Sequence, residues 1–389
     1  MFEPFSEGLF TDKMEWWSAS RLARAIRDRD TTSLEATEHF IARIQRLDPQ
    51  FNLVVVKLFD QARARAREAD AAIDRGESWG PLHGVPMTIK EAFSIKGVLT
   101  TAGWDRLKTH RPKADAVVVS KLLGAGAVLL GKTNVPLLCG DFQSYNAIYG
   151  TSNNPWSLQH SPGGSSGGSA GALAMGFTPL EVGSDIGGSI RSPAHCCGVF
   201  GLKPTLGVVD SEGHVPPAPF VQLKSNLYVV GPMARGAEDL ALLYRILAGP
   251  RAQEAPGWRL VAPPPRPKPW RIAVCTAHES IPTDEEVSRA VRGAADSLSR
   301  EPGVTVVWEA LPPALDVDEA LGVYQVLINA EMAGVKASLS HGDYLRNEQR
   351  RGKLRQAWAS FFQAAPWPNP CTHAVGPLLA LMLSFLPGL

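Results

Sequence analysis

Apolar positions along the chain switch between two periods. Leu34, Ile41, Ile44 and Leu47 fall on one face of a 3.6-residue repeat and predict a helix from Ser33 to Leu47. Thr32 and Glu35 stand at the spacing of a capping box that would start it. A shorter helix, Arg21 to Arg29, precedes it. Asp60 to Arg75 is alanine-rich and highly charged, a third helix whose alternating arginine and glutamate mark a solvated face. Gly84 to Glu91 instead alternates apolar residues and predicts a strand that carries Lys90 to a solvated end or to an interior. Ala114–Leu123 reads as a helix and Ala127–Leu130 as a short buried strand; Ala170–Met175 is helix-forming and Leu180–Val182 strand-like. Val229–Met233 then leads into a helix from about Glu238 to Leu247. Further on, strands Trp270–Cys275 and Val304–Val307 flank a helix Asp284–Ser299, and a basic helix covers Asp343–Phe362. Alternation of this kind predicts an α/β protein.

The stiff proline-rich stretch Ala262–Pro269 (APPPRPKP) is the best candidate boundary, and no internal repeat is visible. Ala374–Leu389 is apolar throughout but contains Gly376 and Pro377 and is shorter than the ~20 residues of a membrane span.

Composition narrows the function. Hydrophobic residues make up 44% and charged residues 20% of 389, enough for a large core. With 39 basic against 38 acidic residues there is no electrostatic case for nucleic acid or an anionic membrane, and a small or neutral substrate is the default. The N-terminus has no basic stretch followed by an apolar run, so a cytoplasmic location is expected. Five cysteines (139, 196, 197, 275 and 371) follow no disulfide framework and no zinc-ligand spacing, so reduced thiols and no metal are expected.

The stretch Ser161–Ser192 concentrates the candidate chemistry. Two Gly-Ser clusters, Gly163–Ser169 and Gly187–Ser192, sit at the ends of predicted elements, where a flexible linker has no reason to place them. Gly163-x-Ser165-x-Gly167 matches a nucleophile elbow, but the polar, proline-broken Trp156–Pro162 supplies no preceding strand. Neither cluster closes with Lys-Ser or Lys-Thr, which excludes a Walker phosphate loop. His195 heads the apolar run Cys196–Phe200 and reads as a packed core histidine.

Lys90 in GVPMTIKE, Ser165 in PGGSSGGS and Ser189 in GSDIGGSIRSPA together resemble the Ser-Ser-Lys set of the amidase signature family. The likeness extends from about Leu22 through Leu247, with linking phrases at Gly131–Asn134, Asn154–Trp156, Gly201–Thr205 and Gly231–Met233. It implies a single large α/β domain over residues 1–362, a central mixed twisted sheet flanked by helices, with its core motifs at 80–250 and the connector 262–269 inside it. It further implies hydrolysis of a small-molecule amide through an acyl-enzyme, without a cofactor. Carried over by position, Ser189 is the nucleophile, Ser165 the proton relay and Lys90 the general base, with a cis peptide before Ser165. Ile186, Gly187, Gly188 and Ser189 match the oxyanion hole, Cys139, Gly140 and Asp141 the segment beside the acyl pocket, and Asp185 and Arg191 flank the hole as supporting residues. The chemistry has its own requirement: lysine acts as a base only when neutral, so its pKa must fall from ~10.4 towards 7 or 8, at a cost of about 4 kcal/mol.

The likeness stops after about Phe362, and 363–389 forms an atypical apolar tail that does not look like the family's ending. A free-standing amidase is therefore the leading expectation, and the sequence admits a homodimer. Two alternatives stand beside it. One is the amidase subunit of a tRNA-dependent amidotransferase, although Asn134–Asp141 departs from the acidic, methionine-containing wording usual there. The other is a catalytically impaired relic with a binding or structural role.

Overall fold

The computed structural model describes residues 13–216, 227–250, 269–276, 278–280, 282–308, 311, 315–332 and 340–364. The chain divides into two compact units, Met1–Leu260 and Val261–Leu389.

In the first unit, helix α1 (Ala19–Asp28) is followed by α2 (Ser33–Phe51). Thr32 caps α2 as expected: its hydroxyl accepts from the Glu35 N–H at 3.0 Å, and its own N–H donates to the Glu35 carboxylate at 2.9 Å. Ile41 and Ile44 are buried, while Leu34 and Leu47 close the edge of the same core. The helix runs one turn beyond Leu47 and stops where Asn52 turns left-handed at φ 53° and the Asp48 carboxylate takes the N–H groups of Leu53 and Val54. Helix α3 (Phe59–Asp74) buries Ala62, Ala66, Ala69 and Ala72 along one stripe, which lets it lie close against α2. Its Arg65 reaches the carbonyls of Leu123 and Ala127 at the end of α4 (Val117–Gly124). That helix starts three residues later than the sequence predicts, because the Asp115 carboxylate accepts the Lys96 N–H at 2.7 Å.

Strands β1 (Val54–Lys57), β2 (Pro86–Lys90) and β3 (Val128–Thr133) form a sheet of order β1-β3-β2, with β3 antiparallel to β1 and parallel to β2. A short antiparallel pair, β4 (Tyr145–Asn146) and β5 (Gly150–Thr151), follows. Helix α5 (Gly167–Ala174) leads to a second sheet in which β8 (Val229–Ala234) runs antiparallel to both β6 (Leu180–Asp185) and β7 (Phe200–Gly201). Between β6 and β7 lies α6 (Arg191–Cys197), and α7 (Ala237–Leu247) follows β8. Every residue of β2, β3, β6 and β8 is buried, as in strands covered on both faces. The α/β class is the one the sequence pattern predicts.

Polar groups around the two sheets pair with one another, although the buried Thr37 hydroxyl of α2 has no hydrogen-bond partner among the described residues. Lys132 of the Gly131–Asn134 phrase donates to the Leu99 carbonyl and the Thr100 hydroxyl at 2.8 and 2.7 Å, 3.9 Å from the Glu91 carboxylate. Glu91 in turn accepts from the N–H groups of Thr101 and Ala102 and from the Tyr149 hydroxyl. Thr88 of β2 donates to the Glu181 carboxyl of β6 at 2.5 Å. Burial pushes Glu181 up to about 8, against hydrogen bonds from Thr88 and its neighbours that pull the other way. The folded protein therefore holds a proton that the unfolded chain releases near pH 4.5, so this group's stabilisation is complete below that value and lost as pH rises towards 8. Glu181→Gln should remove that decline, so the urea midpoints of variant and wild type should diverge between pH 5 and 8 in the variant's favour; parallel curves would exclude a raised carboxyl.

In the second unit, β9 (Trp270–Val274), α8 (Glu285–Ser299) and β10 (Val304–Trp308) make a parallel β-α-β unit, with Asp284 capping α8 through the Glu286 N–H. Helices α9 (Val317–Met332) and α10 (His341–Ala364) pack on each other and share an Arg350–Glu319 ion pair at 2.9 Å. Among the described residues no helix is long and apolar enough to cross a membrane. Residues 262–268 of the connector and the tail from 365 onward lie outside the described residues.

Candidate active site

Strand β2 ends on Lys90, whose side chain is 0% exposed. The amine sits among three serines, 2.7 Å from the Ser165 hydroxyl and 2.9 Å from those of Ser166 and Ser184. Burial drives the lysine below its usual pKa, opposed by Cys139, Asp185 and Glu181 in that order. Ser165 and Ser166 lie just before α5, after a cis Gly164–Ser165 peptide. A Cβ on Gly164 would stand 2.6 Å from the carbonyls of Asp141 and Gln143, so only glycine lets this backbone pass under that loop.

Ser184 projects from β6 and is 2.8 Å from Nε2 of His214, whose Nδ1 faces the Pro216 carbonyl at 2.8 Å. His214 is buried between Phe93 and Tyr228, with ring centroids 5.1 Å from each. Burial, followed by the neighbouring Lys90, pushes its ring down to about 3, so it stays neutral at ordinary pH.

The second Gly-Ser cluster leaves the end of β6. The Ser166 N–H donates to the Ser189 carbonyl at 3.1 Å, which ties the two clusters together. Ser189 is 6% exposed, and its hydroxyl makes no hydrogen bond among the described residues. Asp185 collects the N–H groups of Gly188 (2.9 Å), Ile190 (3.1 Å) and Arg191 (3.3 Å) and the Arg191 guanidinium at 2.9 and 2.7 Å. Burial alone would raise this carboxyl, but the guanidinium and the backbone donors hold it below the usual range. Asp185 and Arg191 thus pair with each other and with backbone. Gly188 turns its N–H away into Asp185, whereas those of Ile186, Gly187 and Ser189 have no partner among the described residues. At φ +126°, Gly188 adopts backbone that an L side chain rarely takes.

The segment from Cys139 covers both clusters. Cys139 is buried and interacts with Lys90 and Ser165, and its thiol is raised by burial. Gly140 is exposed and Asp141 half-buried, and the Phe142 ring comes within 3.5 Å of where a Gly188 side chain would start. His195 departs from expectation. It is exposed, because the seven-residue α6 turns Arg191, Ala194 and Cys197 inward and places His195 on the opposite side. Sequence reading missed Ser166, Ser184 and His214. The first two stand beside residues it named, and His214 carried no signal.

The sequence profile of the Amidase family matches residues 35–365. A glutamyl-tRNA(Gln) amidotransferase subunit from Psychrobacter cryohalolentis is 36% identical over 343 residues, covering 85% of this chain and 66% of that protein. Human fatty-acid amide hydrolase 2 is 41% identical over 247 residues, covering 62% of this chain and 46% of its own. The chain thus spans two thirds or less of the length of these relatives. A solved fatty acid amide hydrolase superposes with a TM-score of 0.79 at 25% identity, over 90% of this chain and 66% of the other.

Proposed function

The chain belongs to the amidase signature family, and on that premise we propose that it hydrolyses a carboxamide C–N bond through an acyl-enzyme on Ser189. The observation that carries this reading is the wholly buried Lys90 amine held 2.7 Å from Ser165. A serine hydroxyl needs a base to remove its proton as it attacks. Ser165 can accept from Ser189 and donate to Lys90 at once, since a hydroxyl does both. Ser189 Oγ bonds to the carbonyl carbon while its proton passes to Ser165 and the Ser165 proton to Lys90. Negative charge on the carbonyl oxygen meets the N–H groups of Ile186, Gly187 and Ser189, each worth about 2.7 to 4 kcal/mol in such a site. The C–N bond then breaks, and the proton returns through Ser165 to the leaving nitrogen. Water, activated by the same relay, cleaves the acyl ester to the acid. Substrate binding has to tighten the Ser189–Ser165 contact, as is common for catalytic hydrogen bonds. The segment Cys139–Asp141 and Phe142 borders the acyl side.

A second reading shares this chemistry. The 36% identity to an amidotransferase subunit favours a chain that works within a complex. Two measurements address both. Incubated with a fluorophosphonate, the purified chain should gain one adduct by intact mass, because labelling demands an activated serine and an assembled oxyanion hole; no adduct would point to the inactive relic. Turnover of aryl, alkyl or aminoacyl amides by the chain alone supports the free-standing enzyme, and labelling without turnover favours the complex-bound form.

A further inference from the structure

The hydrogens of the three hydroxyls around Lys90 decide what its amine can do. A neutral amine offers two N–H donors and one lone pair, an ammonium three donors and no lone pair. The Ser166 hydroxyl points to the Ser184 carbonyl at 3.5 Å, so its oxygen is left to accept from Lys90. The Ser184 hydrogen is set by His214. The Pro216 carbonyl can only accept, so Nδ1 of His214 carries the ring hydrogen. Nε2 of the neutral ring then presents a lone pair to Ser184 at 2.8 Å, the Ser184 O–H donates to it, and the Ser184 oxygen accepts from Lys90 at 2.9 Å. With both N–H groups of a neutral amine spent on Ser166 and Ser184, its lone pair is left facing Ser165 at 2.7 Å.

We propose that His214 is a positioning residue: acting through Ser184, it aims the Lys90 lone pair at Ser165 and so fixes the direction in which the relay moves a proton. This rests on the Ser189–Ser165–Lys90 reading above. His214 exchanges no proton with substrate. Its wedging between Phe93 and Tyr228 keeps the ring plane on the Pro216–Ser184 line.

Two substitutions divide the ring's duties. In His214→Asn the amide nitrogen can replace Nδ1 towards Pro216, but nothing reaches Ser184. In His214→Gln the longer amide can present its oxygen to Ser184. Without an acceptor, the Ser184 hydrogen turns onto the Lys90 lone pair, which stabilises the neutral amine and also blocks it. The maximal rate of fluorophosphonate labelling should therefore fall about 10²-fold in His214→Asn, with the half-saturating concentration unchanged within about twofold. Its ascending pH limb should move to lower pH. His214→Gln should return to within about threefold of wild type. The titratable groups facing Lys90 are Cys139, Asp185 and Glu181, and those facing His214 are Lys90 and Tyr228. All of these remain in every variant, so differences between profiles report the changed link. A packing role alone would harm Asn and Gln alike and, by admitting water, move the limb to higher pH; either result overturns the proposal, as does a wild-type rate in His214→Asn. Ser184→Ala approaches the same link from β6 if the histidine variant does not fold. It removes the acceptor that aims the amine, so it should slow labelling by itself, and adding His214→Asn should cost nothing further because the ring then has no hydroxyl to act through; additive losses overturn the proposal. Ser189→Ala, labelled in parallel, separates the premises. Adduct surviving there refutes the Ser189 reading itself, whereas an inert Ser189→Ala beside a fully active His214→Asn refutes only the role of His214.

Discussion

Ser189→Ala should lower amide hydrolysis by at least about 10⁴-fold, some 5.5 kcal/mol of transition-state stabilisation, and abolish the phosphonate adduct. Nothing else in the site changes. Alanine keeps the backbone N–H at 189, the N–H groups of Ile186 and Gly187 stay in place, and the Lys90–Ser165 contact at 2.7 Å is untouched. The variant should still bind substrate, as KM or product inhibition would show. Its stability should change by less than about 0.5 kcal/mol, because the Ser189 hydroxyl has no partner among the described residues to lose. Melting temperature, intact mass and kcat together make the test. Hydrolysis above 1% of wild type, or an adduct that persists, would move the nucleophile elsewhere, with Ser165 and Ser166 the nearest hydroxyls to the lysine besides Ser184.

Local rules carried the sequence reading far. The Thr32–Glu35 box, the buried face of α2 and the glycines at element ends all follow from near neighbours along the chain. Where local signals conflict with tertiary ones, sequence reading falls short. Asp115 leaves the helix it was expected to join because Lys96 needs an acceptor. The four-residue β1 and the glycine-containing α9 have too little pattern to stand out. His195 sits in an apolar run yet faces outward, because a seven-residue helix exposes one side whatever its neighbours are. Alternation in Gly84–Glu91 located a strand but could not say whether Lys90 reached water. That depended on Ser166, just before α5, and Ser184 of β6 arriving to satisfy the amine. The orienting group, His214, comes from a segment with no periodic signature, and a hydroxyl hydrogen's direction is written in no local pattern.

The two glycine clusters also serve different ends. The first lets Ser165 pass under the Asp141–Gln143 loop, as the Gly164 contacts require. The second wraps Asp185 with three backbone N–H groups and a guanidinium, so that a charged, rigid knot holds the loop that carries Ser189. Neither cluster supplies a base, and that makes Lys90 the decisive second test.

Lys90→Met should lower kcat by about 10³- to 10⁴-fold and erase the ascending limb of the pH–rate profile. Methionine fills nearly the same volume without the amine. All three hydroxyls lose the lysine, but Ser184 keeps His214 and Ser166 keeps the Ser184 carbonyl, so Ser165 is the most affected and the fold should persist. His214 cannot replace the lysine: burial makes its ring a weak base, and its two nitrogens are already engaged by Ser184 and the Pro216 carbonyl. A limb that survives in Lys90→Met would therefore assign the base to a group outside this shell. Stability supplies an independent check. Burial lowers the folded pKa of Lys90, so at a pH between the folded value and the ordinary lysine value of 10.5 the unfolded chain holds a proton that the folded one has released. Relative to Lys90→Met, wild type must then gain stability as pH rises through that window, read as diverging urea midpoints. A difference that stays flat or falls with pH would mean that the folded protein keeps the ammonium, and a protonated Lys90 has no lone pair with which to draw a proton from Ser165.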